Sequence, residues 1–280
     1  MTELSIVRDG PLSFRMALGK YWQPQNYQDR FFGPVTLRTA LAHSLNSVAV
    51  RLVERLGVDR VIRQARKLGI ESRLERNLSL SLGSSSVSLL EMVRAYSVFA
   101  SGGMRAKPLF ITRVSDREGK VLEESQPDLE RAISAEIAYI MTDMLRNAIQ
   151  SGTGRAAAEL GLPLAGKTGT SSDFRDAWFV GYTPELVTGV WVGYDDHRPL
   201  GEKETGGRTA LPFWLAFMRE ASRDSETDDF PVPTGIEWSA VNLKANGYPV
   251  PLFERSLETN IPFASGTRVT ELKLQTESEP

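Results

Sequence analysis

The sequence has no cysteine and only two histidines, His43 and His197, in 280 residues. The first absence excludes disulfides, thiolate nucleophiles and thiolate metal ligands. The second excludes a histidine-rich metal centre, so neither a metal nor another cofactor is expected. Net charge is nearly absent too. Thirty-three Lys and Arg against 35 Asp and Glu leave a formal −2, which offers no electrostatic case for nucleic acid. No uncharged apolar run reaches the roughly 18 residues needed to span a bilayer. The start, Met1-Thr2-Glu3-Leu4-Ser5-Ile6-Val7-Arg8, lacks the basic region and apolar core of an export signal, so no signal or anchor is expected within the chain. What is present, 41% hydrophobic and 24% charged residues, suits a globular chain of one large domain or two small ones.

The stretch that organises the rest is Ala165-Gly166-Lys167-Thr168-Gly169-Thr170. Small, β-tolerant residues around one lysine predict a strand. Gly166 and Gly169 lack a Cβ, so a ligand or a second chain is expected to lie against their peptide groups. Alternation puts Thr168 and Thr170 on one side and Lys167 on the other. Two hydroxyls beside an ammonium make a carboxylate site; the plainer reading is an edge strand with a solvated lysine.

In chain order, residues 1–33 mix aromatics with turn formers and read as a packed irregular loop. Thr36 caps a short helix from Leu37 to His43, which breaks at Ser44-Leu45-Asn46 and resumes to Gly57. A further amphipathic helix follows Asp59 and ends at Gly69. Ser88 and Glu91 form a capping box that opens another helix. Phe110–Ser115 and Lys120–Leu122 read as a hairpin. Ser134 starts a helix carrying Ile137, Ile140, Met141, Leu145, Ala148 and Ile149 at helical spacing. Leu164–Thr170, Trp178–Tyr182 and Leu186–Tyr194 form a three-stranded antiparallel unit. The aromatic helix from Thr209 is expected to pack on it. The composition turns acidic near Ser225, placing a boundary between 1–221 and a 222–280 extension. That extension has a hairpin signal at Asn246-Gly247 and a polar, disordered end over Gln275–Pro280.

Ser44-x-Asn46 projects a hydroxyl and an amide from a helix break; alternatively, Ser44 or Asn46 simply caps the helix that follows. Taken with Lys167-Thr168-Gly169-Thr170, it matches two of the three elements that mark penicillin-binding proteins and class A β-lactamases, in their order. The flanks narrow the match. Tyr21-Trp22-Gln23-Pro24-Gln25-Asn26-Tyr27, Gly33-Pro34-Val35-Thr36-Leu37-Arg38, Glu91–Ala100 and Asp176–Pro184 resemble the transpeptidase domain of bifunctional class A penicillin-binding proteins, over roughly residues 5–220. The resemblance implies an α/β fold like that of penicillin-binding proteins and serine β-lactamases: an antiparallel sheet flanked by helices, with a mostly helical lobe over about 34–160. It implies acyl transfer on peptidoglycan stem peptides, with β-lactams as alternative partners, at the outer face of a bacterial cytoplasmic membrane. Ser44 would relay a proton helped by Lys167, and Asn46 would orient the substrate amide. Thr168 and Thr170 would hold its carboxylate on the Lys167–Gly169–Thr170 strand, with the Thr170 N–H as half of an oxyanion hole.

The third element, Ser-x-x-Lys, is missing. The positions three before the eight lysines are Ala17, Gln64, Met104, Arg117, Leu164, Leu200, Val241 and Thr270. In Ser13-Phe14-Arg15-Met16 a methionine stands where the lysine should be, and Arg15 cannot act as a base near neutral pH. In the family the motif opens a central helix ahead of Ser-x-Asn. The nucleophile, the early strands and the membrane anchor are therefore expected to lie outside these 280 residues, which would be inactive alone. A non-catalytic stem-peptide binding module is the alternative. A serine β-lactamase needs the same missing motif. His43 beside Ser44 suggests a Ser–His pair, but adjacent helical residues diverge by about 100°, which argues against it.

Overall fold

The computed structural model describes residues 1–27, 29–224, 226–241 and 259–267. The Asn246-Gly247 signal and the Gln275–Pro280 end lie outside the described residues. Four short strands open the chain: β1 (Ile6–Asp9), β2 (Phe14–Arg15), β3 (Tyr21–Trp22) and β4 (Gly33–Thr36). β1 pairs antiparallel with β4, and β2 with β3. This corrects the irregular loop expected over 1–33. Strands of two to four residues are too short to display alternation, and Pro34 fits because a two-stranded ribbon tolerates a missing N–H.

Thr36 ends β4 and caps α1 (Leu37–Ala42), its hydroxyl accepting the Thr39 N–H at 3.2 Å. Then come α2 (Asn46–Leu56), α3 (Val58–Leu68) and α4 (Leu89–Ala100). The helix after Asp59 has the expected amphipathic pattern, yet no α3 residue is fully buried. At the start of α4 the capping box is complete, and the Glu91 carboxylate also accepts the N–H groups of Glu71 and Ser72 at 2.6 Å. Burial works to raise its pKa, but hydrogen bonds from Ser72, Ser88 and Glu71 outweigh that and bring it down to about 2. A depressed carboxyl contributes stability above its unfolded value, and that stability is lost as pH falls through the folded value. Glu91→Gln should therefore cost about 1 kcal/mol at pH 7 and less at pH 3, as thermal melts at the two pH values would register.

β5 (Met104–Ala106), β6 (Arg113–Ser115), β7 (Val121–Glu124) and β8 (Leu129–Arg131) follow. β6 and β7 make the expected hairpin, and β5 with β8 closes its base. Next is α5 (Ala135–Gln150), capped by Ser134. Its apolar stripe divides. Leu145, Ala148 and Ile149 are in the core, whereas Ile137 is 52% exposed.

β9 (Ala165–Thr170), β10 (Asp176–Tyr182) and β11 (Val187–Gly193) form the predicted antiparallel unit in the order β11–β10–β9, with Phe179 opposite Thr168. The aromatic helix is α6 (Leu211–Ala221), preceded by a wide turn over Gly206–Ala210. It packs as expected: Trp214 is fully buried 4.9 Å from the Phe179 ring, and its indole N–H donates to the Thr188 carbonyl. Trp191 on β11 is 37% exposed, its N–H held by Asp176 at 2.9 Å. Finally β12 (Ile236–Val241) pairs with β13 (Thr259–Ala264). This ribbon lies on α5, with Trp238 edge-on to Tyr139. The fold is α/β: a helical lobe and an antiparallel sheet, meeting along α5.

One charge cluster ties the lobe together. Arg38 on α1 donates to the Glu3 carboxylate at 2.7 Å and bonds Asp143 on α5. One guanidinium thus serves two carboxylates, and Glu3 Oε1 is buried without a hydrogen-bond partner. Burial raises the Glu3 pKa to about 7, with Arg38 opposing and Asp143 reinforcing.

Candidate active site

The first bank of the site is the corner between α1 and α2. Ser44 has φ +56°, a left-handed conformation that costs a non-glycine residue roughly 1–2 kcal/mol. The turn is held by Ser44 N–H donating to Leu41 O and Leu45 N–H to Ala40 O. Leu45 is buried, which leaves Ser44 exposed at the tip. Neither Ser44 nor Asn46 caps α2. The residue in the cap position is Leu45, whose side chain accepts nothing. The capping alternative raised by the sequence is thus overturned, and both polar side chains turn to other partners.

The second bank is β9. Among the described residues its one strand neighbour is β10, so its other edge carries no strand. The glycines act differently from expectation. A Cβ at Gly166 would lie 2.9 Å from Gly181 and 3.2 Å from the Phe179 ring, and one at Gly169 would lie 3.0 Å from Trp178. They admit β10 and its aromatics.

The banks meet at one contact. Lys167 Nζ donates to Ser44 Oγ at 2.9 Å and to the Thr168 carbonyl at 3.0 Å. Burial lowers the lysine pKa to about 8. Burial, and then the Lys167 ammonium, likewise lower the pKa of His43, which ends α1, so its neutral form is favoured. Asn46 donates one amide N–H to the Gln25 carbonyl at 2.7 Å, which sets its plane. The Thr170 hydroxyl accepts the Gly206 N–H at 3.0 Å. Gly206 is required there, since a Cβ would sit 2.2 Å from the Trp178 carbonyl.

Sequence reasoning missed Thr153. Its hydroxyl lies 2.6 Å from that of Thr168, and its N–H donates to the Ala42 carbonyl. The Gly152-Thr153 turn therefore fastens the end of α1 to β9. The available signal is Gly152-Thr153-Gly154, a small polar triplet directly after a helix end.

From Ser44 and Lys167 an apolar groove of about 1040 Å³ runs between α2 and α5. Leu45, Val48 and Leu52 line one wall, Ile140, Met141 and Met144 the other, with Phe263 of β13 beside them. This is where the unpacked part of the α5 stripe points. Among the described residues no cluster of His, Asp and Glu could hold a metal ion, and no helix is long and apolar enough to cross a membrane.

This fold and cleft define a penicillin-binding transpeptidase domain. The family model described as the penicillin binding protein transpeptidase domain matches residues 13–210. Penicillin-binding protein 1A of Aquifex aeolicus is 44% identical over 77% of this chain and 30% of its own length; that of Pseudomonas aeruginosa is 36% identical over 84% and 35%. The crystal structure of penicillin-binding protein 1A from Haemophilus influenzae superposes with a TM-score of 0.88, at 29% identity, over 98% of this chain and 46% of that one. PonA1 of Mycobacterium tuberculosis, in complex with penicillin V, superposes with a TM-score of 0.71, at 27% identity, over 83% of this chain and 67% of that one. The chain belongs to the penicillin-binding protein transpeptidase family, in its class A branch. It spans about a third of the length of the curated relatives it matches.

Proposed function

We propose that this chain forms the substrate-holding side of a peptidoglycan D,D-transpeptidase in the bacterial cell envelope, outside the cytoplasmic membrane. The observation that carries the reading is the 2.9 Å contact between Lys167 and Ser44, which joins two motifs 123 residues apart. A stem peptide lies along the open edge of β9 as an added strand. Its terminal carboxylate accepts hydrogen bonds from the hydroxyls of Thr168 and Thr170 beside the Lys167 ammonium. Asn46 orients the amide next to the scissile bond, and Ser44 with Lys167 passes a proton to the leaving amine. The Thr170 N–H supplies part of the oxyanion hole. β-Lactams occupy the same cleft.

The acylating serine is not among these residues, because no Ser-x-x-Lys occurs in the 280. The apolar groove has the place and the lining for a helix bearing that motif, with its polar end at Ser44 and Lys167. Residues 1–221 form the transpeptidase unit and 222–280 an extension, whose β12–β13 ribbon lies on α5. In isolation the chain binds stem peptides without turning them over.

Calorimetry with a D-Ala-D-Ala peptide tests the binding. Heat of binding is expected at pH 7, and Thr168→Val and Thr170→Val should each weaken affinity about tenfold, since a charge-assisted hydrogen bond is worth ~1.5–3 kcal/mol. A lysine with a pKa near 8 loses its charge as pH rises through that value. Affinity should therefore fall between pH 7 and 9.5. A folded chain that gives no heat would count against the reading.

A further inference from the structure

The corner carrying Ser44 and Asn46 is held from outside its own helix. Asn26, buried in the loop before β4, points its side-chain oxygen at the start of α2 and accepts the N–H of Asn46 at 2.8 Å and of Ser47 at 3.4 Å. Both are orphan N–H groups of the first helical turn, and that of Ser47, the second residue after the cap position, is one that an N-cap side chain can satisfy. Leu45, in the cap position, cannot do so and is committed to the core.

Asn26 is in turn fixed by Asp9. Its amide nitrogen donates to both Asp9 oxygens, at 2.9 and 3.1 Å, and to the Arg30 carbonyl at 2.9 Å. Asp9 is 1% exposed at the end of β1. It also accepts the Phe32 N–H at 2.9 Å and the Ser47 hydroxyl at 2.5 Å. The Ser47 hydroxyl oxygen then accepts the Gly10 N–H at 3.2 Å. The side chains of Asp9, Asn26 and Ser47 are all buried, so the arrangement has little freedom to rotate.

We infer that Asn26, clamped by Asp9, is a positioning residue for the cleft: it takes over the capping of α2 and so releases the Ser44 side chain to meet Lys167 and the Asn46 side chain to line the groove. Were the cap local, Ser44 or Asn46 would spend its oxygen on the helix, the corner would not need a left-handed serine, and the Lys167 contact would be lost. The same loop supplies the Gln25 carbonyl that orients Asn46, so one segment sets both the backbone and the amide of the corner. The inference rests on the cleft reading for what Ser44 and Asn46 do. Its test reads the corner itself and needs no ligand.

The readout is the titration of Lys167, followed by carbon NMR at its ε position; neither Asn26 nor Asp9 bonds this lysine in the structure. His43 is the titratable neighbour that feels its charge and is followed in the same experiment. In Asn26→Ala the corner should loosen, water should reach the ammonium, and the Lys167 midpoint should rise by one unit or more toward the ordinary lysine range. Asp9→Asn keeps the side-chain volume, weakens the clamp and should move the midpoint the same way, and it carries the test if Asn26→Ala does not fold. Ser88→Ala removes a cap of similar worth at the start of α4, so it should lower the melting temperature while leaving Lys167 in place. The inference is overturned if a folded Asn26→Ala or Asp9→Asn variant leaves the Lys167 midpoint unmoved, or if Ser88→Ala moves it equally. Failure of stem-peptide binding, with this pattern intact, would sink the proposed function and leave the positioning role standing.

Discussion

Incubated with a fluorescent penicillin, the 280-residue chain is expected to take no stable covalent label. Supplied with a helix bearing Ser-x-x-Lys, as a co-expressed segment or an amino-terminal fusion, it should label, and Lys167→Ala should abolish or severely reduce that signal. The expected difference is all but complete, because losing a serine nucleophile costs on the order of 10⁶ in rate where it has been measured. The experiment also decides a sharp rival. Ser44 already accepts a hydrogen bond from a lysine whose pKa is about 8, so at pH 7 roughly a tenth of that lysine is free amine, enough in principle to serve as a base. Geometry favours the relay role: Lys167 Nζ donates to Ser44 Oγ at 2.9 Å. An adduct mapped to Ser44 in the chain alone would reverse the assignment.

The second large effect concerns stability. Arg38→Met should destabilise the fold by about 3–5 kcal/mol, because it strands two carboxylates that share one partner. The pH dependence has a defined sign. The Glu3 pKa is raised to about 7 in the folded chain, from the 4.5 of an ordinary glutamate. Between those values the folded state binds more protons than the unfolded one, so this group makes stability fall as pH rises through the window. At 1.36 kcal/mol per unit, the full span is at most roughly 3 kcal/mol. Arg38→Met should steepen the fall, and Glu3→Gln should flatten it. Urea melts at pH 5 and pH 8 measure both, and a flat profile in the parent chain would refute the assignment to Glu3.

Much of the site was legible because its signals are local. Alternation and small residues marked β9, the Ser88/Glu91 spacing marked a capping box, and the motif order paired Ser44 with Lys167. Three things were hidden, each for a physical reason. Periodicity identifies the apolar face of α5 but not what covers it, so nothing in the spacing separates Ile137, Ile140 and Met141, which border a groove, from the buried Leu145, Ala148 and Ile149. Glycine announces close approach without naming the neighbour, and at Gly166 and Gly169 that neighbour is β10. The Asp9–Asn26–Ser47 cluster joins positions 17 and 38 residues apart through single side-chain bonds, which leave no periodic trace. Asn26 was visible only inside a resembling stretch, with no role attached.

That borrowed cap has a kinetic consequence. A helix that stores its own cap can nucleate from local sequence, but the first turn of α2 depends on an amide brought in across an entropically costly loop. A peptide covering residues 44–57 should therefore show little helicity in water. In the whole chain, amides of α2 should gain protection from exchange after those of α4, whose cap lies within its own first turn.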